Sequence, residues 1–531
     1  MITEPSVPCA APVAVPAGRR ARITRSAANL ARRHWMLVIL LVAGLGLRVV
    51  TQIAYRPVLF YIDSYKYLTG SGGIDPEGYR FLIAPVLHLT NLAVVPALQH
   101  VLGLAMGLGI YAVLVRRGAP RWAGALAAAP ILLDAYQLQM EQTLMPDVVF
   151  EAFILGGLMI LLWRPRPSLK RLIVGALVLG MAADVRQIGE LLFIPVALFA
   201  VLIARGGWRR LRYLVAGAVS CAVPMLVYMS VSQATGNGFT LAGHGPNVLY
   251  GRAAVAANCS TLKLPAYEKS LCPSPQFVAL GIDRIVNFAS GPYETYKPPA
   301  GQTRQQGYNN FIAQVVKQQP LAIPASVLRD AVRLFALTRD GVDPVTEISR
   351  WQFQTTYPVY PPGVTLQFVD EQAQHYGGGA PTTIKPLATF LRAYQLDGGY
   401  TPGPLLAVLT AGGFAGSLFG FARRRKDAAH ARPQGPGGDF QSLAAGTLLV
   451  TVTALGVVLG SDVFEYSWRY QLPVLVLLPL AGVLGGAVIA SRISGWRPRG
   501  ILDTEMTGAG VEENHQNGEA ASVETERTSA G

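Results

Sequence analysis

The sequence predicts a polytopic α-helical membrane protein, a bundle of about ten transmembrane helices with a large loop domain on one side. Of the 531 residues, 51% are hydrophobic and only 14% are charged. Runs of roughly 20 mainly apolar residues, the length that crosses a bilayer, recur from Trp35 onward. One soluble core does not need this much apolar sequence, so the composition is typical of a multi-pass membrane protein.

Positive charges predict the orientation of the bundle. The formal net charge of +14 comes from short clusters of lysine and arginine at the ends of apolar runs. Every second connection is basic, so these connections are expected to face the cytoplasm and the others to face outward. Topology therefore explains the charge without a nucleic-acid partner, and both termini are expected in the cytoplasm. The clusters lie at 19–33, 116–121, 164–171, 205–212, 423–426 and 491–499.

Run length and the alternation of basic connections together place ten spans. The first span follows a basic stretch and has no small-residue cleavage pattern after it, which indicates an uncleaved signal anchor. The third, fifth and sixth runs are short or end in polar residues. The predicted spans are 35–54, 92–115, 122–138, 148–163, 172–185, 191–204, 213–231, 404–421, 443–459 and 472–490.

These spans divide the chain into five regions. Residues 1–34 are a basic cytoplasmic N-terminus. Residues 35–231 hold seven spans and the first outward loop at 55–91, and residues 402–492 hold the last three spans. Residues 232–401 are long enough to form a small extracytoplasmic domain. The polar tail 493–531 is expected to be disordered in the cytoplasm.

Two of the four cysteines, Cys259 and Cys272, fall in the large outward loop. An oxidising compartment would let them form a disulfide, and closing a loop of this length contributes about 3 kcal/mol in the chain-entropy model. Two free thiols are the alternative. The sequence therefore predicts a disulfide from the compartment alone.

Polar side chains occur near the predicted outward ends of the spans, where a closed bundle would bring them together. Arginine makes bidentate, charge-assisted bonds to phosphate, and a carboxylate can take a proton from a hydroxyl. Such a pocket at the membrane surface suits an amphiphilic substrate, a sugar linked through phosphate to a lipid. The candidates are Asp63, Lys66, Arg80, Glu141, Asp147, Arg186, Glu190, Glu465 and Arg469.

Several candidates also have a simpler structural interpretation. Asp63 can be a solvated carboxylate rather than one of the functional residues that loops often carry. Glu141 and Asp147 can be interfacial helix caps, because proline and an acid in "PDVVF" are typical of a helix start. Arg186 and Arg469 can anchor the ends of spans. The residues alone leave these alternatives open.

Five motifs occur in a recognisable order: "FYIDSYKYL", "PEGYRFL", "MEQTLMPDVVFEAF", "DVRQIGELLFIP" and "WRYQLPVLVLLP". Their order resembles the polyprenyl-phosphate-sugar-dependent C-type (GT-C) membrane glycosyltransferases. This family includes protein O-mannosyltransferases, the lipid A aminoarabinose transferase and actinobacterial cell-wall arabinofuranosyl- and mannosyltransferases. The resemblance covers the span pattern on both sides of the large loop and covers the loop itself only loosely.

The resemblance implies roles for individual residues. Asp63 would be the catalytic base, and Glu141 or Asp147 would be the second acid. The contacts to the donor phosphate would come from Arg186, Arg469, Lys66 and Arg80. Many members of the family carry two adjacent acids in the first loop, whereas Ser64 follows Asp63 here. This difference leaves a divalent metal cofactor as an open question.

The resulting hypothesis is an integral membrane glycosyltransferase. It would move a hexosyl or pentosyl group, with inversion, from a polyprenyl-phosphate carrier to a hydroxyl of an extracytoplasmic glycan, lipid or protein. A transporter or flippase of lipid-linked glycans is one alternative, and its key polar residues would lie near mid-membrane. A non-catalytic envelope assembly protein that docks through the large loop is another.

Overall fold

The computed structural model describes residues 29, 31–71, 73–243, 247–339, 348–360, 364–422 and 439–493. Three predictions fall outside these residues: nearly all of the basic N-terminus, the basic cluster at 423–426 and the tail after residue 493. The described chain is mostly helical, in agreement with the predicted class.

Residues 35–234 contain the first ten helices that we label. Apolar residues dominate the longer ones, and a helix satisfies its backbone groups internally, as a bilayer demands. The helices are α1 (Trp35–Ala54), α2 (Ser64–Thr69), α3 (Gly78–Leu89), α4 (Val94–Arg116), α5 (Arg121–Leu133), α6 (Ala135–Gln142), α7 (Asp147–Leu162), α8 (Leu169–Val185), α9 (Phe193–Ile203) and α10 (Gly207–Ala234).

The rest of the described chain contributes shorter helices and then three long ones. The shorter helices are α11 (Val248–Ala256), α12 (Pro275–Leu280), α13 (Ile282–Asn287), α14 (Pro292–Thr295), α15 (Arg304–Gln318), α16 (Ala322–Val332), α17 (Leu366–Tyr376) and α18 (Lys385–Leu396). The long ones are α19 (Gly403–Ala422), α20 (Asp439–Phe464) and α21 (Val474–Ile493).

Among the described residues, six helices are long and apolar enough to cross a membrane: α1, α4, α10, α19, α20 and α21. This number fits a multi-pass membrane protein. The other four predicted spans correspond to α5, α7, α8 and α9, which have 13, 16, 17 and 11 residues. At about 1.5 Å per residue, each of these is shorter than the roughly 30 Å of a hydrocarbon core.

The third predicted span, 122–138, is wrong at its C-terminal end. α5 ends at Leu133, and the carboxylate of Asp134 accepts a hydrogen bond from the Tyr136 backbone N–H at 3.0 Å. Aspartate is a favoured N-cap, so it starts the new helix α6 where the prediction continued the old one. All eight residues of α6 are buried in the protein.

One end of the bundle carries the polar loops and is called the upper end. Helices α1, α5, α8 and α20 end there, and α4, α7 and α21 begin there. Strand β1 (Tyr55–Arg56), directly after α1, pairs antiparallel with β2 (Thr382–Thr383). Phe353 and Leu391 share a small core with Tyr55. Residues 348–360 and 364–396 therefore pack onto the upper end.

Residues 248–323 form a helical lobe with its own core. Tyr250, Ile285 and Phe311 are fully buried there. Cys259 and Cys272, the pair that the sequence predicts, form a disulfide within this lobe. Of the described residues between 232 and 401, those at 248–323 thus form a separate lobe, and those at 348–360 and 364–396 pack onto the bundle.

Arg252 connects the lobe to the bundle. Its side chain is buried, and its guanidinium donates hydrogen bonds to the backbone carbonyls of Asp462 and Phe464 at the end of α20. The Arg252 Nη2 also lies 2.7 Å from Asp330 Oδ2. A cation at a helix C-terminus binds carbonyls that have no partner within the helix. Arg252 thereby holds the lobe next to the segment that carries Arg469.

Candidate functional site

Four of the predicted residues form a chain of ion pairs at the upper end, which we call the ion-pair cluster. Arg469 lies between two carboxylates: its Nη1 is 3.1 Å from Asp63 Oδ2, and its Nε is 3.2 Å from Asp147 Oδ2. Arg186 pairs with the same Asp147 through its Nη1. Asp147 is fully buried, whereas the side chain of Asp63 is 27% exposed. Asp63 is therefore the carboxylate that a substrate can reach.

Lys66 binds the other oxygen of Asp63. Its Nζ lies 3.1 Å from Asp63 Oδ1 and 3.0 Å from Asp75 Oδ2. Arg80, which the resemblance assigns to the same phosphate contacts, instead pairs with Glu77 at 3.6 Å. In the described structure, Lys66 thus belongs with the ion-pair cluster, and Arg80 does not contact it.

Backbone hydrogen bonds between two loops bring Asp63 and Asp147 close together. The Leu59 N–H donates to the Gln142 carbonyl, and the Leu144 N–H donates to the Leu59 carbonyl, each at 2.9 Å. These two bonds form a parallel bridge between the loop after α1 and the loop before α7. The two acids are therefore positioned by one joined backbone.

Ser64 strengthens this connection. Its hydroxyl oxygen accepts a hydrogen bond from the Tyr61 N–H at 2.8 Å, and the hydroxyl donates to the Leu144 carbonyl at 2.9 Å. The residue that stands in place of a second acid thus ties the turn of Asp63 to the segment before Asp147. A carboxylate at this buried position would have no proton to donate to that carbonyl.

Each member of the ion-pair cluster lies at the end of a helix or in the turn between two helices. Asp147 is the first residue of α7, where the helix dipole favours a negative charge. Arg186 follows α8 in an extended conformation, and Arg469 lies in the turn between α20 and α21. Asp63 is the N-cap of α2, but its side chain makes no capping hydrogen bond. Its carboxylate is consequently available to the two cations.

The cations control the ionisation of Asp63. Burial raises the pKa of Asp63, but the positive charges of Arg469 and Lys66 outweigh this effect and bring the pKa below its ordinary value. Burial lowers the pKa of Lys66, but the charges of Asp63 and Asp75 outweigh it and raise the pKa. Both side chains are therefore charged at neutral pH.

The two arginines keep hydrogen-bond donors that the protein does not use. Among the described residues, Arg469 Nη2 and Arg186 Nη2 have no protein partner. A guanidinium presents its five N–H groups in a fixed fork that matches phosphate oxygens. The ion-pair cluster can therefore offer aligned donors to an anionic ligand while Asp147 holds both guanidiniums.

Aromatic rings surround the arginines. The Arg469 guanidinium carbon lies 5.8 Å from the ring centroid of Tyr61, 5.5 Å from that of Trp351 and 5.4 Å from that of Tyr470. The Arg186 guanidinium lies 5.0 Å from the Tyr470 ring. At these distances the ring faces attract the cations. Trp351 was not predicted from the sequence, because its loop is far from the five motifs along the chain.

Glu141 does not join the ion-pair cluster. Its Oε1 lies 2.7 Å from Arg48 Nη2, its Oε2 lies 2.8 Å from His100 Nδ1, and its side chain is fully buried. The structure places Glu141 in the interior of the protein, because it lies on α6, whose residues are all buried. Its partners are groups of the bundle interior.

Arg48 joins Glu141 to three other helices. Its guanidinium donates to the carbonyls of Ile131 and Leu132 at the end of α5, at 3.0 and 2.8 Å. On α4, Gly103 leaves the space that the pair needs, because a Cβ there would lie 2.0 Å from Glu141 Oε1. This buried pair therefore links α1, α4, α5 and α6.

Removing Glu141 should destabilise the protein strongly. Glu141→Ala leaves the Arg48 charge buried without its anion, which typically costs about 3–5 kcal/mol. The matched control is Glu294→Ala, because the Arg304–Glu294 pair has side chains 49% and 44% exposed, and such pairs contribute about 0–1 kcal/mol. Equilibrium denaturation in mixed micelles measures both changes. Equal losses would contradict a structural role for the buried pair.

The described residues contain no group of three or more histidine, cysteine, aspartate or glutamate side chains that could hold a metal ion. The two carboxylates of the ion-pair cluster both bind Arg469, which lies between them. Asp63 and Asp147 therefore share the positive charge of Arg469.

No protein-family model matches the chain, and no curated protein matches it. Among solved structures, the chain is similar to the archaeal oligosaccharyltransferase AglB from Archaeoglobus fulgidus, in complex with an inhibitory peptide and a dolichol-phosphate. The sequences are 13% identical, the TM-score is 0.33, and the match covers 87% of this chain and 51% of that one. The chain thus spans about half the length of that protein. A similarity this distant assigns neither a family nor a residue role.

Proposed function

We propose that this protein is a membrane glycosyltransferase that moves a sugar from a polyprenyl-phosphate carrier to a hydroxyl acceptor. In this proposal the fold is a GT-C-like bundle of ten spans. The upper end and the loop domain at 232–401 are extracytoplasmic, and both termini are cytoplasmic. The alternation of basic connections supports the orientation, and the order of the five sequence motifs supports the class.

The observation that carries the proposal is the position of Arg469 between Asp63 and Asp147. A lipid-phosphate donor requires cations at the phosphate and a carboxylate near the attacking hydroxyl. Arg186 and Arg469 have donors that no described residue uses, and Asp63 is the accessible acid beside them. This arrangement suits transfer of a group away from a phosphate.

In the proposed step, the carboxylate of Asp63 takes the proton of the acceptor hydroxyl while the hydroxyl oxygen bonds to the anomeric carbon. The bond from that carbon to the phosphate oxygen breaks, and its electron pair stays on the lipid phosphate. Attack from the face opposite the phosphate inverts the anomeric configuration. Arg186 and Arg469 stabilise the charge that develops on the leaving phosphate, which needs no general acid.

Donor binding would also prepare the base. Arg469 holds Asp63 ionised, and a phosphate that takes up part of the Arg469 charge weakens that ion pair. The pKa of Asp63 then rises, so the carboxylate becomes a better proton acceptor when the donor is in place. Asp147 keeps Arg469 and Arg186 aligned through this exchange.

A deletion strain provides the direct test. If the protein is this transferase, deletion should cause one lipid-phosphate-linked sugar to accumulate and one envelope linkage to disappear. Mass spectrometry of extracted lipids and linkage analysis of envelope glycans measure the two effects. Re-expression of the wild-type chain should reverse both. A strain with unchanged lipids and linkages would contradict the proposal.

Replacement of Lys66 should shift the pH dependence of transfer. Lys66→Met removes a positive charge that lowers the pKa of Asp63. The acid limb of kcat/KM, which reports protonation of the free base, should therefore move to higher pH. Arg304→Met is the control, because Arg304 pairs with Glu294 in the lobe. If the acid limb does not move, Asp63 is not the group whose protonation lowers kcat/KM at low pH.

A further inference from the structure

Two apolar grooves lie between the helices, and they approach the ion-pair cluster from different sides. The small groove, with a volume of about 330 Å³, is lined by α3, α4 and α7. The large groove, with a volume of about 1310 Å³, is lined by α5, α18, α19 and α21 and by residues 397–402. The two grooves share no helix.

The small groove leads to the phosphate side of the ion-pair cluster. Its wall includes Val149, two residues after Asp147 on α7, and Tyr79. The Tyr79 ring packs edge to face on Tyr67, at 5.2 Å between centroids, and Tyr67 lies one residue after Lys66. A lipid chain in the small groove would thus place its phosphate near Arg186 and Arg469.

The large groove extends along the bundle. It begins at Pro120, before α5, and reaches Asp134, directly after α5. The 13 residues of α5 rise about 20 Å, a large part of the hydrocarbon thickness. Apolar and small side chains form most of its wall, including Gly486 on α21. Its shape and chemistry fit a hydrocarbon chain.

Polar groups lie where the large groove meets the upper end. The Arg339 guanidinium binds Asp134 at 2.8 Å and lies over the rings of Tyr400 and Trp468, at 5.4 and 5.1 Å. Asp134 and Tyr400 line the groove, and Trp468 directly precedes Arg469. This end of the groove therefore adjoins the ion-pair cluster.

Several donors at this end have no partner among the described residues. They are the Arg339 Nε, the Trp468 Nε1 and the Tyr466 hydroxyl, on side chains that are all more than nine-tenths buried. The Tyr466 and Trp468 ring centroids are 5.4 Å apart. A buried unpaired donor costs about 1–3 kcal/mol. A ligand rich in hydroxyl or phosphate oxygens would satisfy these three groups.

We propose that the acceptor is a lipid, with its chain in the large groove and its hydroxyl-bearing head group at Arg339, Tyr466 and Trp468. This inference rests on the proposed transferase function. The donor chain lies in the small groove, and the two head groups meet at Asp63. The acceptor oxygen bonds to the anomeric carbon, the phosphate oxygen leaves with its electron pair, and Asp63 receives the proton. The product is a glycolipid.

The structure offers two matched pairs of variants for the groove. A Cβ at Gly486 would meet no atom within 4 Å, so Gly486→Trp fills the large groove without a backbone clash. A Cβ at Gly46 on α1 would also meet no atom within 4 Å, but Gly46 does not line the large groove. Leu126, 52% exposed, lines the groove, and Leu45, 50% exposed, does not. Gly46→Trp and Leu45→Trp are therefore the controls for Gly486→Trp and Leu126→Trp.

The assay uses the full-length protein in phosphatidylethanolamine and phosphatidylglycerol liposomes that contain the total organic-solvent lipid extract of the deletion strain. Mass spectrometry follows the loss of the lipid-phosphate-linked sugar (the sugar-phospholipid) that accumulates in that strain. It also follows the formation of a new glycolipid. We expect an organic-soluble product without any added glycan or protein. Gly486→Trp and Leu126→Trp should each reduce its rate at least tenfold, and both controls should stay within twofold of wild type.

The contrary results distinguish the two proposals. A product that forms only after addition of a delipidated envelope or protein fraction would overturn the lipid acceptor and leave the transferase intact. Equal rates for the groove variants and their controls would also overturn the large groove as the acceptor site. No loss of the sugar-phospholipid under any of these conditions would instead reject the transferase function itself.

Discussion

Asp63→Asn should reduce the rate of sugar transfer by at least about 100-fold, because general-base catalysis typically contributes about 10²–10⁴-fold. The amide has nearly the same shape as the carboxylate and stays in the turn before α2, but it is not a useful proton acceptor. The effect should appear in kcat. The measurement is product formation under saturating donor, with the protein yield and thermal unfolding of the variant compared with wild type.

Asp75→Asn provides the matched control for this variant. Asp75, like Asp63, forms an ion pair with Lys66, with 3.0 Å between Asp75 Oδ2 and Lys66 Nζ. In the described structure Asp75 has no ion pair with Arg469, whereas Asp63 does. Both variants thus lose a carboxylate from Lys66, and only one loses the proposed base. Asp75→Asn should retain most of the activity. Transfer at the wild-type rate by Asp63→Asn would remove Asp63 from the mechanism.

Arg469→Gln should lower kcat by roughly 10²–10³-fold, the usual effect of removing one donor that stabilises charge in the transition state. The substitution also takes away the cation between Asp63 and Asp147, so the two carboxylates face each other without neutralisation. The proposed phosphate site then loses its central guanidinium. Steady-state kinetics with varied donor concentration would measure this effect as a fall in kcat.

Arg186→Gln distinguishes catalysis from simple charge loss. Arg186 pairs with Asp147 but has no ion pair with Asp63 in the described structure. We therefore expect Arg186→Gln mainly to raise the KM for the donor and to lower kcat less than Arg469→Gln does. If both variants have the same kinetic profile, Arg469 has no special position at the reacting centre.

The apolar runs and basic connections of the sequence were sufficient to predict a helical membrane bundle. Each predicted span has a corresponding helix, because length and hydropathy are local properties of the chain. The break at Asp134 was missed because an apolar run does not show where an N-cap competes with continuation of a helix. Six helices meet the criteria for spanning, and the count of ten stays a prediction.

The predicted site residues separate into those that meet and those that do not. Asp63, Asp147, Arg186 and Arg469 meet, because each lies at a helix end or in a turn that the span pattern could place on one side. The pairing of Glu141 with Arg48 was not predicted, because it depends on the direction of α6, which the sequence pattern does not specify.

The Asp63–Arg469 contact joins residues 406 positions apart, and Asp147 and Arg469 are 322 positions apart. Ribosomal synthesis delivers the N-terminal spans first, so both aspartates reach the bilayer long before Arg469 is made. Until then, among the described residues, Arg186 is the ion-pair partner of Asp147 and Lys66 is that of Asp63. Assembly of the ion-pair cluster must therefore wait until the segment that carries Arg469 has been synthesised. If the protein is the proposed transferase, a nascent polypeptide that has not reached Arg469 lacks the complete ion-pair cluster and cannot carry out transfer.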